Sequence, residues 1–405
     1  MNRPMRVRGE LTLTIGQNEG DLQGSNDKII QAGIEYLHRV GGGTLHILPG
    51  VYLMQNAVYL SPNITLRGSG EKTVLKKAGS VVTALVRDSD WFEYGVEVGD
   101  AKGFTPGGGI MLRSKTGTGD WQFDVRQATV IAIEGNVLFL DRLTKENFWT
   151  EKDATAATIF PILTAENVDN VVVEDIVLDG SREQNEHING NFAGAVFIQH
   201  CNKWRFRNVT AQNYNGDGYS FQVCDDIHFE SCRAIDNADL GFHPGSGSQR
   251  PTVRNCIARR NGTDGLFLCW RVRHGLFEDN VLEENGQFGI SIGHKDSDNL
   301  FRHNTSRQNK QNGLFFRNET VGMAPHRNRF EENIIENNGG PEIRIRGEVN
   351  DLTFVKNMIR DTQADEQEEP RIGILIEERV GPVLLQDNTF FTKQQIEDKR
   401  PSSRK

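Results

Sequence analysis

The sequence predicts an all-β fold, a parallel β-helix solenoid in which short strands wind into stacked coils behind one N-terminal capping helix. Three observations predict it. Gly194, Gly218, Gly241, Gly265, Gly289 and Gly313 follow one another at intervals of 24, 23, 24, 24 and 24 residues. Phe206, Phe229, Val253, Phe277 and Phe301 keep the same beat, as do Asn237, Asn261, Asn285 and Asn309. Within each unit apolar residues alternate with a period of two between Gly and Asn interruptions, the signature of strands and turns.

A single unit cannot bury its own apolar face, so the coils must stack. Equivalent residues then stand one strand spacing apart, about 4.8 Å. The Phe column becomes an internal stack, and the Asn column a hydrogen-bonded ladder placed where a left-handed turn is tolerated. In these features the chain resembles the right-handed parallel β-helix superfamily that includes pectate lyases, polygalacturonases and alginate epimerases. The leucine-rich horseshoe, the rival for this period, is excluded because the units lack Leu-x-x-Leu-x-Leu and any helical segment.

The elements follow in order. Leu11–Ile15 alternates as a strand. Ser25-Asn-Asp starts a helix that carries Ile29, Ile30, Ile34 and Leu37 at helical spacing and stops at Gly41-Gly-Gly, a natural cap for the first coil. Thr44–Leu48, Pro49–Tyr52 and Ile64–Gly68 read as strands, so residues 1–84 form the cap and first coils. Residues 85–160 break the period; the Gly117-Thr-Gly-Asp turn, and the runs Ala128–Ile133 and Val137–Leu140 around Glu134-Gly-Asn, predict a hairpin-bearing insertion that would wall one side of a groove. Regular coils occupy 161–390, with the polar loop Ser181–Asn191 projecting and extra residues near Gly322. Asp361–Pro370 reads as an acidic loop and 391–405 as a charged, solvated tail.

A chain of 405 residues would ordinarily form two or three domains, but a solenoid grows coil by coil, so one domain is expected. The formal charge of -9 argues against nucleic acid as a general partner. No apolar run is long enough for a membrane span or a signal region, so the chain as read is expected in the cytoplasm, or in the periplasm or outside the cell if a leader has been removed. The five cysteines lie within the repeat without C-x-x-C pairs and read as buried thiols, Cys232 and Cys256 in one column.

Stacked coils place outward side chains in rows, so a groove along one sheet suits an extended polysaccharide or oligosaccharide. Polar residues gather between Asp217 and Lys295. Asp217 and Asp264 precede repeat glycines, Asp239 lies two before Gly241, and Ser220, His243, Phe267 and Ser291 follow their glycines by two. Gln222 and Arg317 follow theirs by four, while Trp270, Arg271, His294 and Lys295 sit at strand ends. Carboxyls on neighbouring coils would be about 5 Å apart, as in retaining glycosidases, and two coils give about 9.6 Å, near the inverting spacing. Asn215-Gly-Asp217-Gly followed by Asp239 resembles the Asn-x-Asp-Gly and Asp-Asp-Cys motifs of polygalacturonases, which implies catalytic roles for Asp217 and Asp239. That family's Gly-His-Gly and Arg-Ile-Lys motifs are not found. Asp-Gly and Asn-Gly are also simply good turn formers.

The leading expectation is an enzyme that cleaves glycosidic bonds, with Asp217, Asp239 and Asp264 as acid and base. His243 stands beside them as a catalytic candidate, and Gln222, Phe267, Trp270, Arg271, His294, Lys295 and Arg317 bind substrate. The alternative is a uronate lyase or C5-epimerase in which His243 or Lys295 removes the proton beside the carboxylate, Arg271 or Arg317 clamps that carboxylate and Trp270 stacks on a sugar. A fructan transferase and a non-catalytic glycan-binding or structural β-helix are the other readings. No cofactor is called for, and no spacing matches a calcium loop. A homo-oligomer that closes the groove is compatible with the pattern. His243 and Trp270, as outward residues, are expected to be replaceable without loss of stability.

Overall fold

A computed structural model describes residues 11–119, 121–362 and 372–401. The chain separates into two compact units, Met1–Asp179 with Lys203–Val209 and Gly180–Asn202 with Thr210–Lys405. Coils that touch only their neighbours have no common centre to hold them as one.

In the first unit the helix Asp27–Arg39 begins where expected: the Asn26 side chain accepts from the Lys28 amide. It ends through Gly41 N–H to His38 O and Gly42 N–H to Leu37 O, with Gly41 at φ 104°. Ile30, Ile34 and Leu37 are fully buried, and Gly33 admits Leu45 where a Cβ would stand 2.7 Å from its methyl. Parallel strands Thr12–Gly16, Gly43–Ile47 and Ile64–Arg67 form the first coils. The insertion is an antiparallel sheet of Val82–Ala84, Thr155–Ala157, Gly109–Lys115, Phe123–Glu134, Val137–Leu140 and Gly95–Glu97. It has its own core, including Leu112, Leu138 and Phe148.

The second unit is the regular solenoid. One parallel sheet runs through Gly194–Gln199, Asp217–Gln222, Phe242–Gly245, Leu266–Phe267, Ile290–Ile292, Leu314–Phe316, Ile343–Ile345, Ile372–Ile376 and Gln394–Asp398. The last strand lies in the stretch expected to be a solvated tail: Gln394 to Asp398 bonds to the strand before it. The rest of the acidic loop beyond Thr362, and residues 402–405, lie outside the described residues. Gly218, Gly241, Gly265, Gly289 and Gly313 share one register column, but Gly194 pairs with Asp217 and so stands one residue out of it. The coil after Gly313 carries five more residues than the 24-residue coils before it, since Asn309 bonds to Asn338.

The interior columns behave as predicted. Phe277, Phe301, Phe330 and Phe354 stack with centroids 4.7 to 4.8 Å apart. Asn237, Asn261, Asn285 and Asn309 each donate a side-chain N–H to the Oδ1 of the next Asn at 2.9 to 3.0 Å, and the ladder runs on to Asn338 and Glu342. The left-handed residues are not these Asn but their predecessors Asp236, Arg260, Glu284 and Gln308, which turn the chain so that each amide points inward. The five cysteines are free and buried, with the Cys232 amide donating to Cys256 Sγ. Outward rows alternate in sign, as in Arg254–Glu278–Arg302 and Arg259–Glu283–Arg307, because like charges one strand spacing apart would repel.

Candidate functional site

The polar residues between Asp217 and Lys295 all belong to the second unit and sort into three groups. In the first, the column Ser220–His243–Phe267–Ser291 is continuous in register, as expected. It does not open onto solvent at its start. The loop Ser181–Asn191 folds back: Ser220 Oγ donates to Gly190 O at 2.8 Å, and any Cβ at Gly190 would collide with the Asp217 carboxylate. Asp217 and His243 are therefore sealed, at 0% and 2% exposure, where groove-facing side chains were expected. His243 Nδ1 donates to Asp217 Oδ2 at 2.6 Å, and the Leu240 amide donates to Oδ1. Burial opposes charge on His243, but the Asp217 carboxylate outweighs it and holds the imidazole pKa at about 10. Burial likewise pushes Asp217 up. The imidazole is thus protonated at neutral pH, which removes it as the proton-accepting base. Gln222 is buried too, donating to Ser220 Oγ at 3.1 Å.

Asp239 stands apart from this pair. Both its oxygens meet Nε2 of His187, at 2.8 and 2.9 Å, and the contact pins the same loop. His187 came to notice in the sequence only as part of a polar loop.

The second group is an internal strut. Arg317 donates to Ser291 Oγ at 3.1 Å, to Leu268 O at 2.7 Å and to Asp296 Oδ2 at 3.2 Å, and its guanidinium lies 4.4 Å from the Phe267 ring centre. Gly293 leaves the room it fills. Arg317 is thus spent on the fold and is not the free carboxylate clamp expected. Asp264 and Asp296 are buried beside it; burial raises each to about pKa 7 against the pull of Arg317 and nearby amides.

The third group is open. Trp270, Arg271, His294 and Lys295 occupy stacked corners of neighbouring coils, tied by Arg271 N–H to His294 O at 2.8 Å. All four have positive φ, at 64°, 67°, 35° and 66°, and the preceding coil has Gly247 at its corner with φ 92°. Trp270 is 45% exposed and stacks on His294 with centroids 5.0 Å apart. His294 Nδ1 lies 3.2 Å from Glu319 Oε1. Burial holds the His294 pKa below its ordinary value, with the Glu319 carboxylate pulling up against it and the Arg317 charge pushing further down. A carboxylate beside Nδ1 favours a proton there and leaves the lone pair on Nε2. Among the described residues Arg271 and Lys295 form no ion pair, and the Arg271 guanidinium lies 5.9 Å from the Trp270 ring centre.

Glu319 was missed in the sequence because it lies outside the repeat. The signal was the overlong coil, whose extra residues follow Arg317 directly. Among the described residues no group of three or more His, Cys, Asp and Glu is arranged to hold a metal ion.

Residues 193–359 and 273–395, together half of the chain, match the right handed beta helix region family. No curated protein matches the sequence. Two solved structures similar to the chain are A-modules of Azotobacter vinelandii mannuronan C-5 epimerases. AlgE4 has a TM-score of 0.61 at 16% identity, covering 93% of this chain and 94% of that one. AlgE6 has 0.62 at 16%, covering 93% and 92%. PfbA, a surface adhesin of Streptococcus pneumoniae, has 0.54 at 12%, covering 92% and 86%. At these identities the likeness is one of fold.

Proposed function

The chain belongs to the right-handed parallel β-helix family, and on that scaffold we propose an enzyme that acts on a uronate-containing polysaccharide by removing the proton beside the sugar carboxylate. The observation that carries this reading is the open corner where exposed Trp270 stacks on His294 and His294 Nδ1 meets Glu319, with Arg271 and Lys295 on the same two stacked corners. His294 Nε2 takes the proton, the Glu319 carboxylate near Nδ1 favours the required tautomer, and Arg271 and Lys295 stabilise the charge that develops on the carboxylate. The exposed face of Trp270 offers a surface for a sugar ring. Loss of the leaving oxygen after proton removal gives a lyase; return of a proton to the opposite face gives an epimerase.

This reading departs from carboxylate-driven bond cleavage for a geometric reason. Asp217 and Asp264 are sealed and Asp239 is engaged by His187, so none presents a free carboxyl to a glycosidic oxygen. That two structures similar in fold are named as mannuronan C-5 epimerases accords with a uronate polymer.

The test is incubation with polymannuronate, polyguluronate and polygalacturonate in deuterated water. Ultraviolet absorbance of unsaturated product reports a lyase, and deuterium at C5 reports an epimerase. Either signal, abolished in His294→Ala, is expected. Tight binding of a uronate polymer with neither signal would overturn the proposal in favour of a binding protein.

A further inference from the structure

The insertion carries an aromatic group that no packing explains. Trp91, Phe92 and Tyr94 are 52%, 66% and 57% exposed within four residues of chain. Their segment is not loose. Ser89 and Phe148 exchange two backbone hydrogen bonds at 3.1 and 2.8 Å. Phe92 N–H donates to Thr144 O and Thr144 N–H to Glu93 O, each at 3.0 Å, while the Thr144 hydroxyl donates to Asp90 O. The Leu140 amide closes the segment on Tyr94 O at 2.7 Å. Thr144 itself is fully buried, so the anchor lies within the insertion. Phe92 is held at φ 67°, a conformation a bulky side chain adopts only at a cost, and its reward is not burial. The Trp91 and Phe92 rings meet edge to face at 5.8 Å and 69°, an arrangement that leaves ring faces open.

From this preformed platform we propose a second, non-catalytic carbohydrate site on the insertion, one that takes neutral sugar rings. Flat aromatic faces suit the C–H face of a pyranose, and a backbone already locked spends little ordering entropy on binding. The polar neighbours select the ligand. Asp88 uses one oxygen, Oδ1, for the Thr150 amide and hydroxyl, and Asp90 uses Oδ1 for the Trp91 amide, so each exposed carboxylate keeps its other oxygen for a sugar hydroxyl. These charges repel an anionic polymer. They also interrupt the apolar surface, which a face that docks a second copy of the chain would keep continuous.

The experiment is electrophoresis of the full chain through native gels containing hydroxyethylcellulose, xylan or dextran, with alginate as the anionic comparison. Retardation in at least one neutral gel is expected, weakened at least tenfold in Trp91→Ala and in Phe92→Gly. Phe92→Gly removes the ring while relieving the backbone, so an unchanged or raised thermal midpoint shows that its loss of binding is not unfolding. His294→Ala should bind as the wild type does, which separates this site from the catalytic reading. No retardation in any neutral gel overturns the proposal. So does retardation that survives both platform variants, or an oligomer that either variant dissociates.

Discussion

Asp217 and His243, paired across neighbouring coils, are joined at 2.6 Å between Oδ2 and Nδ1 with neither side chain open to solvent. The pair is therefore a structural element of the solenoid. Removing the carboxylate in Asp217→Asn leaves a buried imidazolium without its counter-charge, and a loss of about 3–5 kcal/mol in denaturant unfolding is expected. A loss below about 1 kcal/mol would show that the pair is not charged.

The same pair gives stability a sign in pH. The His243 pKa rises from 6.5 in the unfolded chain to about 10 when folded, so its contribution is complete below about 6.5 and is lost as pH climbs through about 10. The stability difference between wild type and His243→Gln should accordingly shrink over that window. A difference that grows with pH would reverse the assignment.

Glu319 should act through His294. Because its carboxylate raises the imidazole pKa, Glu319→Gln lowers it and moves the acidic limb of kcat/KM to lower pH. His294→Ala should cost about 100- to 10,000-fold in kcat. An unmoved limb in Glu319→Gln would mean the glutamate only shapes the loop.

Asp239 and His187 form a part-exposed pair, so Asp239→Asn should change stability by less than about 1 kcal/mol and leave kcat nearly intact. A fall in kcat beyond a hundredfold would restore the carboxylate mechanism that the sequence motif suggested.

Asn285 donates its side chain to Ala258 O and Asn309 Oδ1, and accepts from the backbone and side-chain N–H of Asn261, all without solvent. Asn285→Ala orphans several groups at once, and a cost of about 2–4 kcal/mol is expected in denaturant unfolding. Asn285→Asp should be worse, since a carboxylate cannot donate and its charge is buried.

Periodicity was enough to specify the solenoid, because a parallel stack turns a periodic sequence into columns in space: the Phe stack, the Asn ladder and the row Ser220–His243–Phe267–Ser291 were all readable from spacing. Even the insertion announced itself where the period lapsed. Which polar residues meet solvent could not be read from spacing. That depended on pieces with no period, namely the loop that lays Gly190 over Asp217 and brings His187 to Asp239, and the overlong coil that brings Glu319 to His294. A column fixes which side chains are neighbours along the sheet. What covers a column, and so whether its charges are sealed as at His243 or open as at His294, is set by chain that returns from outside it.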